Sequence, residues 1–485
     1  MDIPAWLALA LSAATLAVPF VMLFFVPRGR RPGSAIAWLL VIALLPWFGL
    51  AVYLILGNPR LPRQRRERQR AMEAEVRAAV EAARSDPAAS TWIGAGLTGD
   101  AASIAALAES LGGLPAVAGN RIDVLSDYDA MIASIAQDID DAQRFVHLQY
   151  YILAMDDATE PVHAAMERAA SRGVTVRVLL DHIGSRGYAA HRAMLRRFDE
   201  AGIQWRHMLP FQPLRGRIGR PDLRNHRKIV VVDGRIAYVG SQNMIERAYR
   251  KRPSHAVKHQ YLEIVARVGG PTVQQLDAVF RMDWMAETGE TLTETPGRVH
   301  QDGTAVAQVL PGGPGHPVEE NLRVFNSLLY HAQERIVIVN AYFVPDETLM
   351  MAITTAAQRG VHVDFITPAK GNQVILAHAQ RSFYEDLLAA GVHIHLHPKP
   401  WNLHSKTMTI DDDIAVIGSS NLDIRSFELN LEASLLCYDE GVVRDLRALE
   451  ATYMAQSTLL KPGDLRLHAG QRLVDNLARL TSSLQ

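Results

Sequence analysis

The chain has one cysteine, Cys437, in 485 residues, so an intramolecular disulfide is excluded. Cys437 reads as a small core residue near a strand end. Charge of one sign is also missing. Fifty Lys and Arg stand against 51 Asp and Glu, a net charge of −1, so there is no global basic field to attract nucleic acid. Nor does any long stretch interleave basic and aromatic residues as a nucleic-acid groove does. The start carries Asp2 and no early Lys or Arg, so it lacks the basic opening of a secretory signal. Three alternating histidines, His393, His395 and His397, have no cysteine or carboxylate at supporting spacing. They read as a polar strand face or an active-site rim rather than as a metal site.

Charge is locally absent twice near the start. Ile3–Val26 is 24 residues without a charge, and Ala35–Leu56 is 22. Each is long enough as a helix to cross roughly 30 Å of hydrocarbon. Pro19 and Pro46 lie inside them, which membrane helices tolerate. The expectation is a pair of membrane helices within residues 1–60, spanning or re-entering the bilayer through the short connection Pro27–Ser34. Arg28, Arg30 and Arg31 lie in that connection, and Arg60, Arg63, Arg65, Arg66, Arg68 and Arg70 follow the second run. The larger cluster places the remainder of the chain on the cytoplasmic side and would attract anionic headgroups. Residues 61–112 read as a basic helical linker, with Glu73–Arg84 a charged helix that spaces the rest from the bilayer.

What is present is a phrase that occurs twice. His226-Arg-Lys228, Asp233, Gly240-Ser241 and Asn243 recur as His404-Ser-Lys406, Asp411, Gly418-Ser419 and Asn421 at identical intervals. A neutral imidazole can attack the phosphorus of a phosphodiester and form a phosphohistidine. A second imidazole can protonate the leaving alkoxide and then deprotonate the incoming alcohol. Two lysines and two asparagines can hold the charged oxygens. One phrase carries half of that equipment, so two must converge. Apolar runs Ile229–Val232 and Ile236–Val239 flank the Asp233-Gly234 turn, and alternation puts each Lys on the face of its His. Asp233 and Asp411 read as orienting or structural, because Asp at a tight turn is common. Asn243 and Asn421 suit phosphate contact, or capping of following helices. The chemistry needs neither metal nor cofactor.

The soluble part repeats more widely. Arg144–Ile152 matches Arg335–Val344, Ala169–Asp181 matches Ala356–Pro368, and Ala201–Pro210 matches Ala390–Pro398. Gly202 to His226 is 24 residues and Gly391 to His404 only 13, so the first copy has an arginine-rich, loop-like insertion, Phe211–Arg224. Strands alternating with helices predict two α/β units, residues 113–300 and 301–485, with the boundary in the Pro/Gly-rich stretch Thr295–Pro317.

The paired phrase resembles the two signatures of the phospholipase D superfamily. The wider chain is similar to its bacterial cardiolipin synthases, through Ala37–Gly57, Leu148–Ile152, Ala341–Glu347 and Gly418–Glu432. The resemblance implies two tandem repeats in a pseudo-twofold unit with the site between them, in a bacterial inner-membrane enzyme. It implies phosphatidyl transfer between two phosphatidylglycerols, giving cardiolipin and glycerol, with His226 as nucleophile and His404 as acid then base. A hydrolase of membrane phospholipids, or a membrane-tethered nuclease, would use the same residues. It further implies that Glu432 holds a catalytic imidazole's far nitrogen, with Glu263 the first-repeat candidate. Ser419, Tyr150, Tyr151 and Tyr342 of these stretches, and Ser241, which stands where the family often has Gly, are expected to line the substrate, the tyrosines being core residues in the alternative. The partners implied are the phospholipid and the bilayer, with no nucleic acid.

Overall fold

The computed structural model describes residues 4–28, 30, 32–57, 61–87, 89–94, 96–211, 220–294, 301–315, 319–371, 373–465 and 469–480. Arg31, Arg60, most of the expected insertion (212–219) and parts of the expected boundary (295–300 and 316–318) lie outside them. The chain forms two compact units. One holds Met1–Leu61 with Phe211–Leu223, the other Pro62–Pro210 with Arg224–Gln485.

The larger unit is built on one continuous mixed sheet. From one edge inward the strands are Gln204–Met208, Thr175–Asp181, Phe145–Tyr150, Ile229–Val232, Ile236–Gly240, Val265–Gly269 and Val117–Leu125. From the other, after an edge strand Thr458–Leu460, they are His393–His397, His362–Pro368, Arg335–Val339, Thr407–Ile410, Ile414–Gly418, Asn430–Tyr438 and Ala305–Gly312. The two series meet where Val117–Leu125 pairs antiparallel with Ala305–Gly312. Each outer trio is parallel. Parallel strands need helical crossovers, which cover both faces and require apolar residues on each. Phe145–Tyr150 and Arg335–Val339 are accordingly buried almost throughout.

One face of each half packs its own crossover helices, with Met131, Ile135, Met166 and Phe198 in the first core and Phe325, Leu328, Leu349 and Phe365 in the second. The opposite face is shared. Val231, Val239 and Val279 of the first half pack in one core with Val309, Leu435 and Leu446 of the second, beneath helices Thr272–Thr288 and Glu440–Gln456. Each fully buried aliphatic side chain contributes roughly 1.5–3 kcal/mol. The halves are therefore held together by core, not by a linker.

The expected linker contains helix Arg63–Ser85. The helix belongs to the larger unit. Arg65, expected to face headgroups, is buried, with Nε 2.9 Å from Glu287 and Nη2 3.5 Å from Asp283. Met72 and Val76 pack on the shared core.

The smaller unit corrects the spanning form of the expected membrane helices. The first run forms Ala5–Met22, 18 residues. At about 1.5 Å per residue it rises roughly 27 Å, short of the hydrocarbon thickness. The second run breaks at Leu45, before Pro46, into Pro32–Leu44 and Pro46–Leu56 of 13 and 11 residues. Proline cannot continue the ladder and biases the residue before it away from helical angles. No helix among the described residues is long and apolar enough to cross a membrane. The unit still exposes Trp6, Leu16, Phe20, Phe24, Leu44, Phe48 and Leu54.

Candidate active site

Each motif histidine is placed by a short strand that pairs with the other half. Arg224–Asn225 runs parallel to Asn430-Leu431, and the His226 amide then donates to the Leu431 carbonyl at 2.8 Å. Trp401–Leu403 runs parallel to Gln260–Leu262, and the His404 amide donates to the Leu262 carbonyl at 2.8 Å. The glutamates are thereby exchanged. His226 Nδ1 lies 2.9 and 3.0 Å from the carboxylate oxygens of Glu432, and His404 Nδ1 lies 2.8 Å from Glu263 Oε1. Glu263 and Glu432 are fully buried, and His226 and His404 are 9 and 6 % exposed, so the imidazoles meet solvent only through a narrow opening.

Burial pushes both imidazoles below their usual range, against the pull of the glutamates, and brings His404 to about 4. Burial opposes charge on Glu263 and Glu432 too, but imidazole, lysine and serine more than offset it, and both stay ionised. Each pair is therefore a neutral imidazole donating Nδ1–H to a carboxylate. That tautomer leaves the lone pair on Nε2, the atom needed for attack or proton transfer.

Lys228 Nζ donates to the His226 carbonyl at 2.6 Å, and Lys406 Nζ to that of His404. Burial lowers their pKa values to about 7 and about 8, and each ammonium feels the other half's glutamate. The serines differ from expectation. Ser241 Oγ donates to Glu263 Oε2 and Ser419 Oγ to Glu432 Oε2, so their hydroxyls hold the carboxylates rather than a substrate. Asn243 accepts from the Ile152 amide at 3.0 Å, and the Asn421 side-chain oxygen is buried with no hydrogen bond. Neither caps a helix, since helix Ile424–Glu428 is capped by Asp423.

Asp233 and Asp411 do not touch the imidazoles. Asp233 takes φ 55° and accepts from the amides of Gln143, Arg144 and Phe145. Asp411 takes φ 45° and accepts from those of Gln333, Glu334 and Arg335. Each pins a hairpin turn to the start of the adjacent strand. Tyr150 is a core residue of the first half, away from the site. The Tyr151 ring centre is 5.2 Å from that of His226 and 5.8 Å from Lys228 Nζ, and the Tyr342 ring is 6.0 Å from His404.

Several site residues escaped the sequence reading. Tyr249 Oη donates to Glu263 Oε1 at 2.6 Å, and the Tyr261 ring centre is 5.5 Å from His404. Asp181 accepts from the Asn225 amide and pairs with Arg224, anchoring the strand before His226. Arg227, between His and Lys of the first motif, is buried, with Nε donating to the Glu432 carbonyl and Nη1 to Asp283. Its location between two motif residues was the one available signal.

The histidine strand also has a carboxylate after all, supplied by its neighbour. Asp364 is in register with His393, its Oδ1 is 2.9 Å from His395 Nε2, and its Oδ2 is 3.1 Å from His362 Nε2. His362, Asp364 and His393 could converge on an ion, but Arg335 lies 3.0 Å from the same carboxylate and already neutralises it.

Comparison with known proteins gives the family. The family profile described as "Cardiolipin synthase, PLD-like domain" matches residues 135–284 and 325–451. A "Phospholipase_D-nuclease N-terminal" profile matches residues 17–58. The chain is 34% identical to "Cardiolipin synthase A" of Pectobacterium carotovorum subsp. carotovorum (strain PC1), over 97% of this chain and 96% of that one. It is 33% identical to "Cardiolipin synthase A" of Edwardsiella ictaluri (strain 93-146), over 98% of each. The crystal structure of phosphatidylserine synthase from Haemophilus influenzae Rd KW20 shares the fold, with a TM-score of 0.57 at 16% identity, covering 79% of this chain and 98% of that one. Two matched stretches that each carry one motif, and relatives aligned nearly end to end, place the chain in the phospholipase D-like cardiolipin synthase family.

Proposed function

We propose that the protein is a cardiolipin synthase that moves a phosphatidyl group between two phosphatidylglycerols through a phosphohistidine. The observation that carries the reading is the pair of neutral imidazoles, each held at Nδ1 by the opposite half's glutamate with Nε2 free. His226 Nε2 attacks phosphorus while the bond to the glycerol oxygen breaks, and His404 gives that oxygen its proton. The second phosphatidylglycerol then attacks through its terminal hydroxyl. His404 takes the hydroxyl proton, the P–N bond breaks, and cardiolipin leaves. Lys228, Lys406, Asn243 and Asn421 hold the phosphate oxygens, and the phosphate's own charge raises His404 enough to carry the proton. Tyr151 and Tyr342 line the headgroup cavity.

In this reading residues 113–300 and 301–485 are repeats related by a local twofold. The larger unit works at the cytoplasmic face of the bacterial inner membrane, and the apolar unit enters the bilayer as a re-entrant hairpin. Nucleic acid is not a substrate.

The test is the product. Pure phosphatidylglycerol should give cardiolipin and glycerol with little phosphatidic acid, and excess glycerol should drive cardiolipin back, because exchange between similar alcohols is near thermoneutral. Phosphatidic acid as the main product, indifferent to glycerol, would make the protein a hydrolase.

A further inference from the structure

The site's rim carries two features that the chemistry does not use. The first is a ring of lysines. Lys258 lies five residues before Glu263 and Lys399 five before His404, at the entry of the two paired strands that lead to them. Each lysine lies two residues before its strand, Gln260–Leu262 or Trp401–Leu403. Lys370 joins them, because the Ala369 amide bonds the His397 carbonyl and brings the two loops together. All three are exposed. They surround His259, whose pKa is lowered by burial and then by Lys399, Lys258 and Lys370. No carboxylate is paired with any of the three among the described residues.

The second feature is apolar. Helix Ala469–Leu480 docks on helix Val374–Arg381 through Asp475, which receives Arg381 and His378. Its outer face exposes Leu473, Val474, Leu477 and Leu480, at 60, 45, 52 and 78 %, and the partner helix adds Val374 and Ile375, at 72 and 63 %. A water-facing helix would not carry this stripe. Arg472 and Arg479 are exposed on the same helix, the composition of a helix lying in a bilayer interface. The patch adjoins the site. Gln380 of the partner helix bonds the Phe343 amide, next to Tyr342.

We infer that this rim docks onto an anionic lipid bilayer, with the C-terminal helix seated at the acyl boundary and Lys258, Lys370 and Lys399 on the headgroups. The lysines select an anionic surface over another protein's apolar face, and the paired strands Gln260–Leu262 and Trp401–Leu403 lead from this ring to the Glu263–His404 pair. The inference rests on the proposed reading that the substrate is a bilayer phospholipid.

The single native cysteine, Cys437, is fully buried, so one introduced thiol can be labelled cleanly. A polarity-sensitive fluorophore is attached to the full-length Leu477→Cys chain, and as a control to Asp412→Cys, at the far end of the strand that follows Lys406. In vesicles of phosphatidylglycerol and phosphatidylcholine, the Leu477→Cys probe should shift to the blue and be quenched by lipids brominated in the acyl chain. The control should stay open to aqueous iodide. A Lys258→Gln/Lys370→Gln/Lys399→Gln variant should partition onto the vesicles about 100-fold more weakly, since each lysine near an anionic surface is worth about fivefold. A probe equally reachable by iodide with and without vesicles overturns the inference, as does one already shielded in detergent with no response to lipid, which would mean that protein covers the patch. Cardiolipin formation in detergent-dispersed phosphatidylglycerol is read in parallel. Product without insertion sinks the docking surface alone, and insertion without product sinks the enzymatic reading alone.

Discussion

Replacing Glu432 by Gln tests the exchange of glutamates between the halves. The carboxylate accepts the Nδ1–H of His226 at 2.9 and 3.0 Å and the hydroxyl of Ser419, and it lies 206 residues from the histidine it serves. A hydrogen bond to a charged group contributes about 1.5–3 kcal/mol, which is roughly 10- to 150-fold in rate if it is lost only from the transition state. The larger hazard is the tautomer. If the amide turns its NH2 toward Nδ1, the proton moves to Nε2 and the nucleophilic lone pair is gone, and a comparable change in a serine-protease triad costs about 10⁴. The Ser419 carbonyl, 3.1 Å from the same Nδ1, still favours the correct tautomer and limits the loss. We therefore expect adduct formation to slow by about 10²–10³. The assay is rapid quench with a radiolabelled phosphatidyl ester of p-nitrophenol. That leaving group needs no proton, so the step reports on His226 alone. Glu263→Gln should form the adduct at near the wild-type rate and then fail to turn it over, because Glu263 serves His404. Wild-type adduct formation in Glu432→Gln together with its loss in Glu263→Gln would refute the exchange.

Four further outcomes are expected. Adduct formation from the activated ester should not fall as pH drops through 6.5, because burial holds His226 neutral below its usual range; a limb at 6.5 in the pH profile would contradict this. On the alkaline side kcat/KM should decline between about pH 7 and 8, since Lys228 and Lys406 are charged only below those values, and kcat should decline later because bound phosphate raises both; stopped assays across pH 5–10 check the sign. Tyr249→Phe removes a donor from Glu263, returns charge to His404, and should move the acidic limb of turnover upward. Asp233→Ala loses three amide partners and a residue suited to positive φ, and should cost about 2–4 kcal/mol by denaturant unfolding while the folded fraction keeps its activity.

The motifs could be read from the sequence because their geometry is local. His, Lys, the Asp turn and Asn all fall within 18 residues, and two strands and a turn relate them whatever the rest of the fold does. The glutamates could be named but not paired, because pairing depends on which strands from different halves run side by side. Tyr249 carried no signal, since only the register of Gln260–Leu262 brings Glu263 beneath it. Tyr150 and Tyr151 are adjacent in sequence and point to opposite faces of a strand, so one enters the core and the other meets His226. Counting uncharged residues gave two spans, and the break at Leu45 before Pro46 shows why length alone misled. Asp364 was missed as a partner of the histidine strand because 29 residues separate it from His393, which is its neighbour only through parallel pairing.

The exchange also explains why two halves are needed where each carries a complete phrase. A half alone has its histidine, lysine and serine, but the strand that carries the histidine has no partner and its imidazole no carboxylate. Burying a charged glutamate without its imidazole, lysine and serine would cost several kcal/mol. The paired halves satisfy both groups at once, and the shared core of Val231, Val279, Val309 and Leu435 keeps them in register. Folding and catalysis are thus coupled through the same contacts. A mutation that loosens the shared core, such as Leu435→Ala, should lower activity at temperatures well below the unfolding midpoint, because a small shift between halves separates both imidazoles from their carboxylates together.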